Sequence, residues 1–139
     1  MARKQPSPAG ALERVPLLSG LNDRARGRLA KTMKERTFAP GREVVAQGRS
    51  GVGFFLITAG NAVVTIGGEA IRSLGPGDYF GEMALLHGGP RSATVTAESE
   101  LTCLTISSWG FKAFVQEHPQ VAWDMLQTLA ERLREESLR

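Results

Sequence analysis

Glu82 and Arg91 lie nine positions apart in a run of otherwise small and apolar residues, Phe80-Gly81-Glu82-Met83-Ala84-Leu85-Leu86-His87-Gly88-Gly89-Pro90-Arg91-Ser92-Ala93-Thr94-Val95. Gly81 permits a sharp turn. Glu82 to Leu86 are helix formers, enough for one or two turns, and Gly88-Gly89-Pro90 ends them. Arg91 then opens a strand. A helix start offers unpaired N–H groups and about half a positive charge, which together attract an anion. Arg91 returns to the same place with a guanidinium that can fork onto two phosphate oxygens. Glu82 would repel a phosphate but accepts well from a hydroxyl.

A single phosphodiester charge beside a free hydroxyl fits this set. A cyclic mononucleotide carries both, with a ribose 2′-hydroxyl for the carboxylate and a base that needs an apolar wall. A nucleoside triphosphate would need more positive charge, and no GxxxxGK[ST] loop occurs. The plainer alternative is a helix-start carboxylate that pairs with a surface arginine. It suits either residue taken alone and fits the whole segment poorly. Two charged groups kept inside a pocket are costly without a ligand.

Three zones must position these residues. Leu12 to Arg36 is helical, with Asn22 or Asp23 capping a helix to about Lys34 and Leu29 and Met33 on one face. Phe38 to Ser107 reads as short strands punctuated by glycine. Gly53–Ala59 carries Phe54 to Ile57, a strand buried on both faces. Gly60-Asn61 turns into Ala62–Ile66, and Gly67-Gly68 is a two-residue hairpin loop into Glu69–Leu74. Ser92–Glu98 and Leu101–Ile106 follow. Ser107 or Ser108 caps a helix with Trp109, Phe111 and Phe114, which Pro119 breaks. A second helix carries Ala122, Leu126, Leu129 and Leu133, a seam that docks onto the strands.

Composition bounds the alternatives. At 139 residues, 42% hydrophobic and 22% charged, the chain makes one globular domain over residues 12–139. Residues 1–11 read as a disordered tail, with no apolar stretch of a secretory signal. No apolar run approaches the roughly 18 residues that span a bilayer. A lone Cys103 suits a reducing cytoplasm. The cluster Arg24, Arg26, Arg28, Lys31, Lys34 and Arg36 reads as a solvated helix face, and no direct nucleic-acid binding is expected. His87 and His118 fall in different zones, so no metal site is expected. Cys103 has no partner in pattern, so no catalytic arrangement is expected and the chain does not read as an enzyme. Trp109 and Trp123 read as core or docking residues.

Phe80 to Leu85 and Pro90 to Val95 closely resemble the phosphate-binding cassette of the cyclic-nucleotide-binding domain family, F-G-E-x-A-L, a variable loop, then P-R-[AST]-A-T-V. That family includes regulatory subunits of cAMP-dependent protein kinase, catabolite activator proteins and cyclic-nucleotide-gated channels. The resemblance implies an α+β, mainly β fold: a leading helical part over 12–36, an eight-stranded antiparallel jelly-roll-like barrel over 37–107 with the cassette at 80–95, and hinge and lid helices over 108–139. It implies that Glu82 holds the ribose 2′-hydroxyl, and that Gly81, Met83 and Ala84 offer amides. Arg91 would pair with the phosphate and Ser92 would add a hydroxyl. Ala93, Val95, Val63, Val64 and Leu74 would line the pocket, with Phe80 and Leu85 in the binding segment. Arg132, or Arg134 in its place, would cap the purine from the last helix. The expected ligand is cAMP, with cGMP the alternative because Ser92 is compatible with either base. No prosthetic group is expected. Three outputs stay open: a stand-alone binder, a larger protein with its own effector domain, or a partner protein outside this chain. A barrel without ligand, used as an interaction scaffold, is the remaining alternative.

Overall fold

The computed structural model of the protein describes residues 7–51 and 53–137. The expected tail is corrected over its later part. Ser7 Oγ accepts from Gly10 N at 3.1 Å and caps a helix, α1 (Pro8–Leu12), that starts on proline and buries Ala11 and Leu12. Proline suits a first helical position because its missing N–H has no partner there anyway. Residues 1–6 lie outside the described residues.

A 3-10 turn, Pro16–Leu18, leads into α2 (Asp23–Thr32), which Asn22 caps by accepting from Ala25 N at 2.8 Å. The helix stops at Thr32, short of Lys34, because Lys34–Phe38 pairs as strand β1. Arg26 leaves the basic cluster altogether. It is buried, donating to the Leu21 and Ser19 carbonyls and to Asp23 Oδ1. Arg24, Arg28 and Lys31 remain exposed on the helix.

The remaining strands are β2 (Glu43–Val45), β3 (Ser50–Gly51), β4 (Gly53–Ala59), β5 (Ala62–Ile66), β6 (Glu69–Leu74), β7 (Tyr79–Phe80), β8 (Gly89–Pro90), β9 (Thr94–Ala97) and β10 (Leu101–Ser107). They form two four-stranded antiparallel sheets, β1-β10-β4-β7 and β2-β9-β5-β6, and a ribbon, β3-β8. Each four-stranded sheet keeps two edge strands, so among the described residues the expected barrel is a pair of open sheets. Gly67 and Gly68, both at positive φ, close the β5–β6 hairpin as the spacing predicts.

Strand β4 separates two cores. Phe55 and Ile57 face the second sheet, joining Phe38, Phe80, Leu101 and Cys103 against Ala62, Val64, Leu74, Val95 and Ala97. Phe54 and Leu56 face the helices, joining Leu12, Leu17, Leu18, Leu29, Phe111 and Met125. Period-two alternation sends neighbours to opposite faces. With both faces covered, β4 anchors the molecule, each fully buried large side chain contributing about 1.5–3 kcal/mol.

Ser107 caps α3 (Ser108–Glu117) by accepting from Gly110 N at 3.1 Å, and α4 (Pro119–Ser137) follows. Helix α4 packs on α3 and on the Pro16–Leu18 turn through Val121, Met125 and Leu129. The expected seam is corrected: Leu126 and Leu133 are exposed, as are Trp109 and Trp123. No described helix is long and apolar enough to cross a membrane.

Candidate functional site

The segment between β7 and β9 is fastened at several points. Phe80 is buried in the inter-sheet core, stacked on Phe55 with ring centroids 4.9 Å apart. Leu85 is buried in the opposite, helix-facing core. Between them Glu82–Leu85 forms one 3-10 turn, shorter than the expected helix through Leu86. Gly81 starts it at φ +83°, a conformation that glycine adopts without a Cβ penalty. So short a turn has little dipole, and Arg91 is the stronger positive group of the segment.

Arg91 does not open a strand. It sits between β8 and β9, its N–H donating to the Arg49 carbonyl at 2.8 Å and its carbonyl accepting from Gly48 N at 2.8 Å. Its side chain runs among three glycines. Nη2 donates to the Gly53 carbonyl at 2.8 Å. A Cβ on Gly51 would overlap the guanidinium, and one on Gly81 would stand 2.6 Å from Nη1. Burial pushes the Arg91 pKa down; the guanidinium keeps its charge because its ordinary value is so high.

Two polar atoms are buried without a partner among the described residues: Arg91 Nε and Glu82 Oε2. A buried donor or acceptor left unpaired costs about 1–3 kcal/mol. Such atoms are rare in folded proteins, and here one belongs to the expected phosphate ligand and the other to the expected ribose ligand.

The other expected residues divide. Val64, Leu74 and Val95 are buried in the inter-sheet core, with Ala93 packed against it. Val63 is corrected: as the neighbour of Val64 on β5 it faces the other side of the sheet and cannot share its wall. Leu85 is corrected too, since it anchors the turn in the helix-facing core. Met83 and Ser92 are exposed, and Ala84 is buried. Arg132 is exposed on α4. It lies near enough to Tyr79 to influence its phenol: burial pushes that pKa up, Glu82 adds to the rise, and Arg72, Arg132 and Arg14 pull it back. Tyr79 stacks on Phe54 in the helix-facing layer.

Sequence reasoning missed Gly51, which leaves room for Arg91, and Gly53, whose carbonyl accepts its hydrogen bond. Their signal is the run of glycines at 48, 51 and 53 before a strand. It also missed a cavity of about 630 Å³ at the mouth between the sheets, lined by Arg36, Glu43, Arg49, Phe55, Arg91 and Trp109 among others. Arg91 borders this cavity, whereas Glu82, Val64, Leu74 and Ser92 do not. Of the expected ligand residues, Arg91 alone borders the cavity. No group of three or more His, Cys, Asp or Glu among the described residues could hold a metal ion.

Residues 35–118 match the family model described as "Cyclic nucleotide-binding domain". The chain is 42% identical over 105 residues to a cAMP-dependent protein kinase regulatory subunit from Yarrowia lipolytica, covering 74% of this chain and 28% of that protein. It is 39% identical over 95 residues to a cGMP-dependent protein kinase from Toxoplasma gondii, covering 68% of this chain and 10% of that one. It thus spans less than a third of these relatives. Among solved structures it is similar to the N-terminal domain of a transcriptional regulator from Streptomyces coelicolor A3(2). The TM-score is 0.83 at 29% identity, covering 91% of this chain and 94% of that one.

Proposed function

The chain belongs to the cyclic nucleotide-binding domain family, and from that premise we propose that its Phe80–Val95 cassette binds cAMP and regulates an effector domain or partner protein. The observation that carries the reading is the pair of unpartnered buried atoms, Arg91 Nε and Glu82 Oε2, at the two positions where the ligand needs a cation and a hydroxyl acceptor. The phosphate lies against Arg91 and the half-buried start of the 3-10 turn. Glu82 accepts from the ribose 2′-hydroxyl. The apolar side of the ligand meets the Val64, Leu74 and Val95 edge of the inter-sheet core. Ser92 adds a hydroxyl to the phosphate or the base.

The relatives support cAMP first, through the similarity to a cAMP-dependent kinase regulatory subunit, and cGMP as the alternative, through the similarity to a cGMP-dependent kinase. On this reading the domain senses rather than catalyses. On the same reading α4 moves from its dock on α3 and the Pro16–Leu18 turn to bring Arg132 over the purine. Ligand binding then shifts a population from docked to closed, in proportion to its differential affinity for the two states.

A thermal-shift titration tests the reading. A nucleotide at about 100 times its dissociation constant stabilises the fold by about 2.7 kcal/mol. A melting temperature that rises with cAMP concentration supports the proposal. A melting temperature unchanged by both cAMP and cGMP leaves the interaction-scaffold reading in its place.

A further inference from the structure

The cavity beside Arg91 takes no other residue of the cassette. Its volume, about 630 Å³, lies within the roughly 300–1,000 Å³ usual for small-molecule sites. Strand order explains why it exists. β1 is an edge strand whose Arg36 shares an inward face with buried Phe38, the Arg36 guanidinium lying 5.0 Å from that ring. Strand β2 edges the opposite sheet. The cavity is lined from both edges, with Phe55 and Val45 in its lining and the exposed indole of Trp109 on its border.

Its ionisable lining is unbalanced. Arg36, Arg49 and Arg91 face one carboxylate, Glu43, leaving two positive charges. None of these four makes an ion pair with another among the described residues. Ser50, Thr105 and Ser107 place hydroxyl-bearing residues around the cavity.

We infer that this cavity is a second anion site, for a dianionic phosphomonoester carrying a planar group, of the nucleoside monophosphate class. Two net positive charges match a dianion, whereas the cassette's single arginine matches the monoanion of a cyclic phosphodiester. Phe55, Val45 and Trp109 supply apolar and aromatic surface for the planar part, and Glu43 accepts from its hydroxyl or amino groups. Arg91 borders both places, so two bound anions share one guanidinium and each weakens the other. This coupling rests on the cassette reading; occupancy of the cavity does not.

The experiment uses AMP as probe and a Trp123→Phe background, in which Trp109 is the sole remaining tryptophan of the chain's two. Titration at low salt, followed by tryptophan fluorescence and by calorimetry, is expected to saturate. Arg49→Ala and Arg36→Ala are expected to weaken AMP at least tenfold and to change cAMP affinity less than twofold. Saturating cAMP is expected to weaken AMP by a finite factor that reaches a ceiling, and AMP to weaken cAMP by that same factor. The inference is overturned if AMP gives no saturable signal, if both substitutions leave its affinity unchanged, or if cAMP displaces it without a ceiling, which means one shared site. Should cAMP not bind, the cassette reading fails, while the AMP titration and the two substitutions still decide the cavity.

Discussion

A β-carbon on Gly81 would stand 2.6 Å from Nη1 of Arg91, closer than such atoms approach in folded proteins. The start of the cassette turn and the end of its arginine are therefore built around each other. The same β-carbon would stand 2.5 Å from the Gly53 carbonyl that holds Nη2. Gly81, the arginine and strand β4 form one packed unit, with Glu82 next along the chain.

Gly51→Ala tests that unit without the strain that φ +83° would add at Gly81. Gly51 is not at positive φ, so alanine fits its backbone. Its methyl group would occupy the space of the Arg91 guanidinium, which must then move. Loss of a charge-assisted hydrogen bond of about 1.5–3 kcal/mol weakens the nucleotide roughly 10- to 100-fold. Calorimetry reads the affinity, and circular dichroism should show the fold unchanged.

Glu82→Ala should act on the ribose alone. Wild type is expected to bind cAMP about 10- to 100-fold more tightly than its 2′-deoxy analogue, since the carboxylate then loses its donor. In Glu82→Ala the two ligands should bind alike. Measured by calorimetry on both proteins with both ligands, this square isolates the pairwise term. A preference for cAMP that survives the substitution removes Glu82 from the ribose site.

Leu12→Ala should destabilise the whole domain. Leu12 is 0% exposed, whereas Leu126 is 58% exposed. A buried leucine truncated to alanine costs about 2–5 kcal/mol, and an exposed one changes stability by about 0.5 kcal/mol or less. Urea denaturation of both variants checks the contrast. Equal midpoints would mean that α1 is not part of the cooperative fold.

Cys103 should make stability fall in alkali. Burial pushes its thiol up from 9.0 to about 12, with Arg36 pulling slightly the other way. Below pH 9 the thiol is neutral in folded and unfolded chains alike, and its contribution is fully present. Between 9 and 12 only the unfolded chain ionises, so that contribution is lost as pH rises through the folded value. Melting temperatures of wild type and Cys103→Ala should converge over this range. At pH 8 the wild-type thiol should react with a disulfide reagent only as fast as the chain opens.

The sequence carried the alternating strands well. Gly53–Ala59, Ala62–Ile66 and Glu69–Leu74 form where the apolar pattern and the glycine turns place them. It carried β1 poorly because four of that strand's five residues are exposed, which leaves no buried period to read. The short α1 was hidden by Pro8 and Gly10, which resemble tail residues until Ala11 and Leu12 find the core. Glu82 and Arg91 were legible because charges amid small residues are conspicuous. The cavity was not, because its walls come from strands far apart in the chain and meet only after the sheets form. The seam of α4 was legible only in part for a related reason: of its expected members Leu129 packs on the helix-facing core while Leu126 and Leu133 are exposed, and the rest of the contact is made by Val121 and Met125.

The central claim is that Arg91 holds a cyclic phosphate, and calorimetric titration of cAMP into wild type and Arg91→Ala tests it most directly. Wild type should bind one equivalent. The variant should lose about 2–5 kcal/mol, or roughly 30-fold at the least, because a desolvated phosphate is left without its cation. Binding by Arg91→Ala as tight as by wild type would contradict the account.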